Sequence, residues 1–163
     1  MAHFHSVAPA AAILAKKRGQ NAELATMAGM LHDLWAYKSG SYDDHAHLGA
    51  DYARKVLGEL TTPEETVIIC SAIYHHDSKA EVDAPMDEIL KDADVIDHSL
   101  SDPTKEVKAH EKERYEKLCA EMGLTEQETD QSRKRKTEGS HQHFDTQPQK
   151  PCGTRVFATF VLK

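Results

Sequence analysis

The sequence lacks any long hydrophobic run. Within its 163 residues, polar side chains interrupt the apolar stretches well before the roughly 20 residues that a membrane helix needs. No basic segment precedes the first apolar stretch, which argues against a secretory signal. We therefore expect no membrane span and a cytoplasmic location.

Cysteines and aromatic residues are also scarce. Cys70, Cys119 and Cys152 form no Cys-x-x-Cys pair, which excludes zinc ribbons and disulfide-rich scaffolds and favours reduced thiols. Aromatic residues make up 6% and apolar residues 39% of the chain. This composition argues against an aromatic-rich β-sandwich and suits a helical protein packed by Ala and Leu.

Positive charge is scarce in the first three quarters of the chain. Residues 1–123 hold 13 Lys and Arg against 22 Asp and Glu, a charge of −9, and the whole chain carries −7. Such a surface repels nucleic acid and free nucleotides, so we expect no nucleic acid polymer as a partner. Phosphate chemistry would need a local source of positive charge, and metal ions are the obvious one.

What the sequence does contain is helical periodicity. Apolar residues recur at helical spacing up to residue 123, which predicts an all-α bundle of about six helices. Thr62, Pro63 and Glu65 have the spacing of a capping box, and residues 38–44 have loop composition. The predicted helices run from about Phe4 to Arg18, from the cap Asn21 to about His32, from His45 to Leu57, from Pro63 to about His76, from Met86 to Leu100 and from Pro103 to Met122.

The periodicity ends at Gly123. Residues 125–153 are rich in polar side chains and contain a basic run at 133–136, so they bury too little apolar surface to repay the entropy of ordering. We predict one domain over residues 1–123 and a polar, poorly ordered tail over residues 124–163. The last nine residues have β-type composition without a visible strand partner.

Histidine and aspartate stand side by side where the second helix is expected to end. The imidazole of His32 and the carboxylate of Asp33 suit a divalent ion such as Mn, Fe, Co, Ni or Zn. Because a carboxylate has two oxygens, Asp33 can bridge two ions. The alternative is a histidine that interacts with the helix dipole, followed by a loop aspartate.

The His32-Asp33 pair belongs to a wider pattern over residues 3–100. It is preceded by His3 with Val7-Ala8, Leu14-Ala15 and Gly19, and followed by Ala93-Asp94. With these motifs the chain resembles the HD-domain superfamily of metal-dependent phosphohydrolases. The resemblance implies a helical bundle and a metal site made by His3, His32, Asp33 and Asp94; His5 does not keep the family register.

A subset of that family has two further histidines that allow a second metal ion. His45, in His-x-x-x-Gly-Ala, and His76, after an Ala-Ile pair, match them, with His75 as the alternative to His76. Four more histidines match nothing and are expected on the surface or in the tail. They are His98, His110, His141 and His143.

The resemblance implies hydrolysis of phosphate esters or anhydrides in a nucleotide or another small phosphorylated metabolite. One or two divalent ions would activate a water molecule, and Asp33 would be central to catalysis. Lys38 and Lys79 either approach a phosphate or are solvated surface residues. The alternative function is a catalytically idle sensor module that binds a metal or a nucleotide.

Overall fold

The computed structural model describes residues 2–100 and 106–124, which form helices and no strand. The all-α prediction is therefore confirmed for this part of the chain, whereas the predicted tail beyond Leu124 lies outside the described residues. No helix among the described residues is long and apolar enough to cross a bilayer. The helices are α1 Ala2–Lys17, α2 Ala22–Leu31, α3 Leu34–Ser39, α4 His45–Leu57, α5 Pro63–His75, α6 Pro85–Leu100 and α7 Lys112–Met122.

The predicted caps are present at two helix starts. Asn21 accepts hydrogen bonds from the backbone N–H groups of Glu23 and Leu24 at the start of α2. Thr62 and Glu65 form the capping box of α5, each side chain accepting from the backbone N–H of the other. Local side-chain chemistry therefore fixes where both helices begin.

Two elements differ from the prediction. The short helix α3 occupies residues 34–39, part of which was expected to be loop, and ends at Gly40 with a φ of 74°. The last helix begins at Lys112 rather than Pro103, and residues 106–111 are not helical. In this segment Glu111 is buried with its carboxylate against His98, a tertiary contact that the periodicity of the segment does not reveal.

Helices α1, α2, α5 and α6 form the centre of the bundle. α1 packs against α2 and α6, and α5 packs against α4, α6 and α2, while α7 packs on α6. The fully buried apolar side chains include Leu14, Ile69, Ile73, Ile89 and Leu90. This packing brings the starts of α1 and α4 to the ends of α2 and α5, as the contacts between His3 and His32 and between His45 and His76 show.

Small residues allow α1 and α2 to approach closely. A Cβ placed on Gly29 would lie 2.7 Å from the Cα of Ala8 and 3.0 Å from its backbone nitrogen. Because both atoms belong to the backbone, no side-chain rotation could relieve this contact. Gly29 therefore sets the separation of α1 and α2, and with it the approach of His3 to His32.

We expect Gly29→Ala to lower the free energy of unfolding by about 1–3 kcal/mol, because the added methyl group pushes α1 away from α2. This loss would occur although alanine is intrinsically the better helix former. Denaturant unfolding followed by circular dichroism measures it, with Met30→Ala at the next, exposed position as the control. Equal stability of the two variants would contradict the proposed close packing.

Candidate metal centre

All six residues predicted as ligands lie together, five of them at the ends of α1, α2, α4 and α5 and Asp94 within α6. Asp33 contacts histidines through each of its two oxygens, and Asp94 joins the first of these groups through its contacts with His3 and His32. The first donor group is His3, His32, Asp33 and Asp94. The second donor group is Asp33, His45 and His76.

The first donor group is arranged around the Nε2 of His3. The Nε2 of His3 lies 3.0 Å from the Nε2 of His32, 3.3 Å from an oxygen of Asp94 and 3.5 Å from an oxygen of Asp33. Ligands bound at about 2.1 Å to the same ion lie no more than about 4.2 Å from each other. His32, Asp33 and Asp94 each lie within this distance of the Nε2 of His3, which is the atom that links them.

The second donor group lies on the other oxygen of Asp33. The Nε2 atoms of His45 and His76 are 3.4 and 3.5 Å from Oδ1 of Asp33, and 3.2 Å from each other. The contact of Asp33 with His3 uses Oδ2 instead. A single carboxylate thus presents one oxygen to each group, which is the geometry of a bridging ligand.

Backbone carbonyl groups orient three of these histidines. The Nδ1 atoms of His32, His45 and His76 lie 2.8, 2.8 and 2.6 Å from the carbonyl oxygens three residues earlier. A carbonyl oxygen only accepts hydrogen bonds, so each Nδ1 carries a hydrogen and donates it. The Nε2 atom of each ring is thereby turned toward the donor groups, as in metal-binding histidines.

The structure also separates His76 from its neighbour His75. His76 is buried and faces Asp33, whereas His75 contacts Asp87 through Nδ1 at 3.0 Å. His47 likewise lies elsewhere, stacked on the ring of Tyr74. Of these neighbouring histidines, His45 and His76 are the ones near Asp33.

The electrostatics of the two central histidines differ sharply. The contact with Asp94, the hydrogen bond to Asp97 and the charges of both carboxylates raise the pKa of His3 to about 9, against the opposing effect of burial. Burial, reinforced by the charge of His76, lowers the pKa of His32 to about 4. In the absence of a metal ion, a proton on His3 therefore balances part of the negative charge.

The two aspartates remain ionised despite their burial. Burial raises the pKa of Asp33, but the contact with His76 and the charges of the surrounding histidines outweigh it and the net shift is downward. Burial acts in the same direction on Asp94, yet the charge of Lys79 and the contact with His3 hold its pKa well below the ordinary value. Asp33 and Asp94 are thus both carboxylates, the ionised form that binds a cation.

One oxygen of each aspartate lacks a hydrogen-bond partner. Oδ1 of Asp33 and Oδ1 of Asp94 are both buried and unpaired. A buried polar atom without a partner costs free energy, so such atoms call for an explanation. Since both oxygens face histidine Nε2 atoms, the donor sets fit divalent metal ions, which would satisfy the oxygens and the nitrogens together.

Lys79 and Asp97 support this site. Lys79 was expected either to approach a phosphate or to be a solvated surface residue, and the surface alternative is wrong. Lys79 is buried, and its ammonium group lies 2.6 Å from Oδ2 of Asp94 and donates to the carbonyl oxygen of His76. Asp97 accepts from Nδ1 of His3 at 2.5 Å. The position of Asp97, one helical turn after Asp94, was the available signal for it.

His98 was expected on the surface, and this expectation is wrong. Its ring is about two thirds buried and stacks on His3 with a centroid separation of 5.5 Å. Its Nε2 lies 3.5 Å from Oδ1 of Asp94. His98 follows Asp94 by four residues, a spacing that places both side chains on one face of α6.

The remaining candidates from the sequence lie around the site. Lys38 is exposed and its ammonium group lies 4.1 Å from the centroid of the Tyr52 ring, so it is a surface residue. Trp35 also contacts Tyr52. Of the three cysteines, Cys70 and Cys119 are free and Cys152 lies outside the described residues.

Comparison with known proteins agrees with this architecture. The family model of the HD domain matches residues 1–102, which include both donor groups. The chain belongs to the HD-domain family. The predicted family membership is therefore confirmed. HD domains form a superfamily of metal-dependent phosphohydrolases, and they bind divalent metal ions.

Two curated relatives are similar to the same part of the chain. Ribonuclease Y of Chlorobium luteolum (strain DSM 273 / BCRC 81028 / 2530) is 31% identical over 101 residues, which are 62% of this chain and 18% of the relative. Ribonuclease Y of Chlorobium phaeovibrioides (strain DSM 265 / 1930) is 30% identical over the same shares. The chain thus spans under a fifth of the length of these relatives. No solved structure matches it at a significant level.

We expect Lys79→Met to lower the free energy of unfolding of the metal-free protein by about 3–5 kcal/mol, because it leaves the buried carboxylate of Asp94 without its cation. Lys38→Met is the matched control. It removes a surface ammonium group whose contact with an aromatic ring stabilises the fold by about 0.5–1 kcal/mol. Denaturant unfolding in the presence of a chelator measures both. Losses of equal size would contradict the role assigned to Lys79.

Proposed function

We propose that this HD-domain protein is a metal-dependent hydrolase of phosphate esters or anhydrides in a nucleotide or another small phosphorylated metabolite. The observation that carries the proposal is the position of Asp33, whose two oxygens face two separate groups of histidines. Family membership supports the reaction class, because HD domains are metal-dependent phosphohydrolases as a superfamily.

The proposed ligands are the six residues of the two donor groups. His3, His32, Asp33 and Asp94 would hold one ion, and Asp33, His45 and His76 would hold the second. The short separations between the donor atoms and the unpaired oxygens of Asp33 and Asp94 support this assignment. A mixture of imidazole nitrogen and carboxylate oxygen suits Mn, Fe, Co, Ni or Zn.

The charge of the site agrees with a phosphorylated substrate. Four neutral imidazoles and two carboxylates carry −2, and two divalent ions would bring the total to +2. Bound ions of this kind lower the pKa of water and neutralise charge on a phosphoryl group. Asp33 would be a ligand of both ions. Lys79 balances the charge of Asp94 through its contact with Oδ2.

RNA is the second candidate substrate, and the similarity to Ribonuclease Y favours it. The charge of −9 over residues 1–123 favours the small substrate, because such a surface repels a polyanion. A comparison of small phosphoesters with an RNA oligonucleotide separates the two candidates. The cytoplasm, whose reducing conditions suit the free Cys70 and Cys119, is the compartment that we propose.

We expect the protein, freed of metal and reloaded with Mn or Co, to release phosphate from small nucleotides or other phosphoesters. Asp33→Asn should lower this activity by more than about a hundredfold, because the bridging carboxylate is lost. Asp43→Asn, an exposed loop change nearby, is the control and should retain full activity. Metal binding without turnover of any small phosphoester or RNA would instead support the sensor function.

We further expect the wild-type protein to bind two ions and the His45→Ala, His76→Ala variant to bind one, because the second donor group then retains only an oxygen of Asp33. The matched control is His47→Ala, His75→Ala, which removes the neighbouring histidines that do not face Asp33. Elemental analysis of protein purified without chelator or nickel resin gives the stoichiometry. An unchanged metal content in the first variant would exclude the two-ion site.

A further inference from the structure

His98 occupies a position next to the first donor group that family membership does not assign. It lies one turn after Asp94 on α6, and its ring is parallel to that of His3 within 5°. The Nε2 of His98 lies 3.5 Å from Oδ1 of Asp94, close to the 3.3 Å that separates His3 from the same oxygen. His3, Asp94 and His98 therefore form a third set of converging donor atoms.

Glu111 orients His98 from another part of the chain. Its Oε1 lies 3.1 Å from Nδ1 of His98, and its side chain is buried although it precedes the peripheral helix α7. A carboxylate accepts the hydrogen from Nδ1, which leaves Nε2 to face Asp94. His98 thus has the arrangement of the other four site histidines, whose Nδ1 atoms also lie against oxygens.

Lys108 lies close to both His98 and Glu111, but it does not take over the role of Glu111 in orienting His98. Its ammonium group lies 3.2 Å from Nδ1 of His98 and 3.3 Å from Oε1 of Glu111. The side chain of Lys108 is half exposed and can turn to water, whereas that of Glu111 is fixed by burial. Glu111 is therefore the group that sets the orientation of His98, and Lys108 balances its charge.

An unpaired oxygen indicates what His98 faces. Asp94 is 4% exposed, and Lys79 occupies its Oδ2 while its Oδ1 has no hydrogen-bond partner. That oxygen is the atom toward which both His3 and His98 direct Nε2. A cation between the three atoms would satisfy the oxygen and both nitrogens, which a hydrogen bond to one of them would not.

We propose that His98 is a further ligand of the ion held by His3, His32, Asp33 and Asp94, and that Glu111 positions it for this role. This inference rests on the proposed metal centre. His98 would add a nitrogen donor beside His3 and Asp94. The second donor group would be unaffected, because no contact links His98 to His45 or His76 among the described residues.

The test is the affinity of the full chain for Co²⁺, measured by competition with a chelator, together with the visible absorption of the bound cobalt. His98→Ala and His98→Gln should each weaken one of the two binding events by about tenfold or more, and leave the other unchanged. Both should shift the cobalt bands, because a nitrogen ligand is lost. Two variants are compared so that a folding defect in one does not remove the test.

His75→Ala is the matched control. His75 has nearly the same side-chain exposure as His98, 32% against 31%, and a similar contact with a carboxylate, but it lies outside the donor groups. It should leave both the affinity and the cobalt spectrum unchanged. A similar loss of affinity in His75→Ala and His98→Ala would overturn the proposal, because any removal of a histidine would then suffice.

The role of Glu111 has its own test. Glu111→Leu removes the acceptor and should weaken the same binding event and shift the same bands, whereas Glu111→Gln keeps an acceptor oxygen and should restore both. If the wild-type chain binds no Co²⁺, the proposed function itself fails. If it binds two ions and both His98 variants bind them with unchanged affinity and spectrum, only the assignment of His98 is wrong.

Discussion

The burial of two carboxylates at one junction is the constraint on which the site depends. Asp33 and Asp94 are each about 95% buried, and a buried charge is tolerated only where partners compensate for the loss of water. Lys79 compensates for one oxygen of Asp94, and histidine rings surround the others. No single helix supplies enough partners to either carboxylate. The two buried charges are therefore tolerated only where several helices pack closely together.

The helices meet this need through small residues and local hydrogen bonds. Gly29 lets α1 approach α2 at Ala8, so that His3 reaches His32. The carbonyl groups near the ends of α2 and α5 then accept from the histidines that follow them, which fixes each ring within its own turn. Tertiary packing thus brings together side chains that local structure has already oriented.

The same arrangement bears on how an acidic chain would accommodate the phosphorylated substrate proposed for it. The surface charge over residues 1–123 repels anions, and the central groups are themselves negative before metal ions bind. Divalent ions bound at the proposed centre would reverse the sign locally while the rest of the surface stays negative. With such ions bound, this contrast would favour the small phosphorylated substrate that we propose over a long polyanion.

The sequence by itself determined the all-α class, the caps of α2 and α5 and the six residues that meet at the centre, because periodicity, capping and motif spacing are local or familial signals. It did not determine the place of Lys79, His98 or Glu111, or the choice between His75 and His76. Those depend on which atoms face each other across different helices: Lys79 reaches Asp94 from the loop after α5, and Glu111 reaches His98 from the segment before α7. Only the tertiary structure decided these contacts, because side-chain direction at a helix end depends on the neighbours that packing supplies.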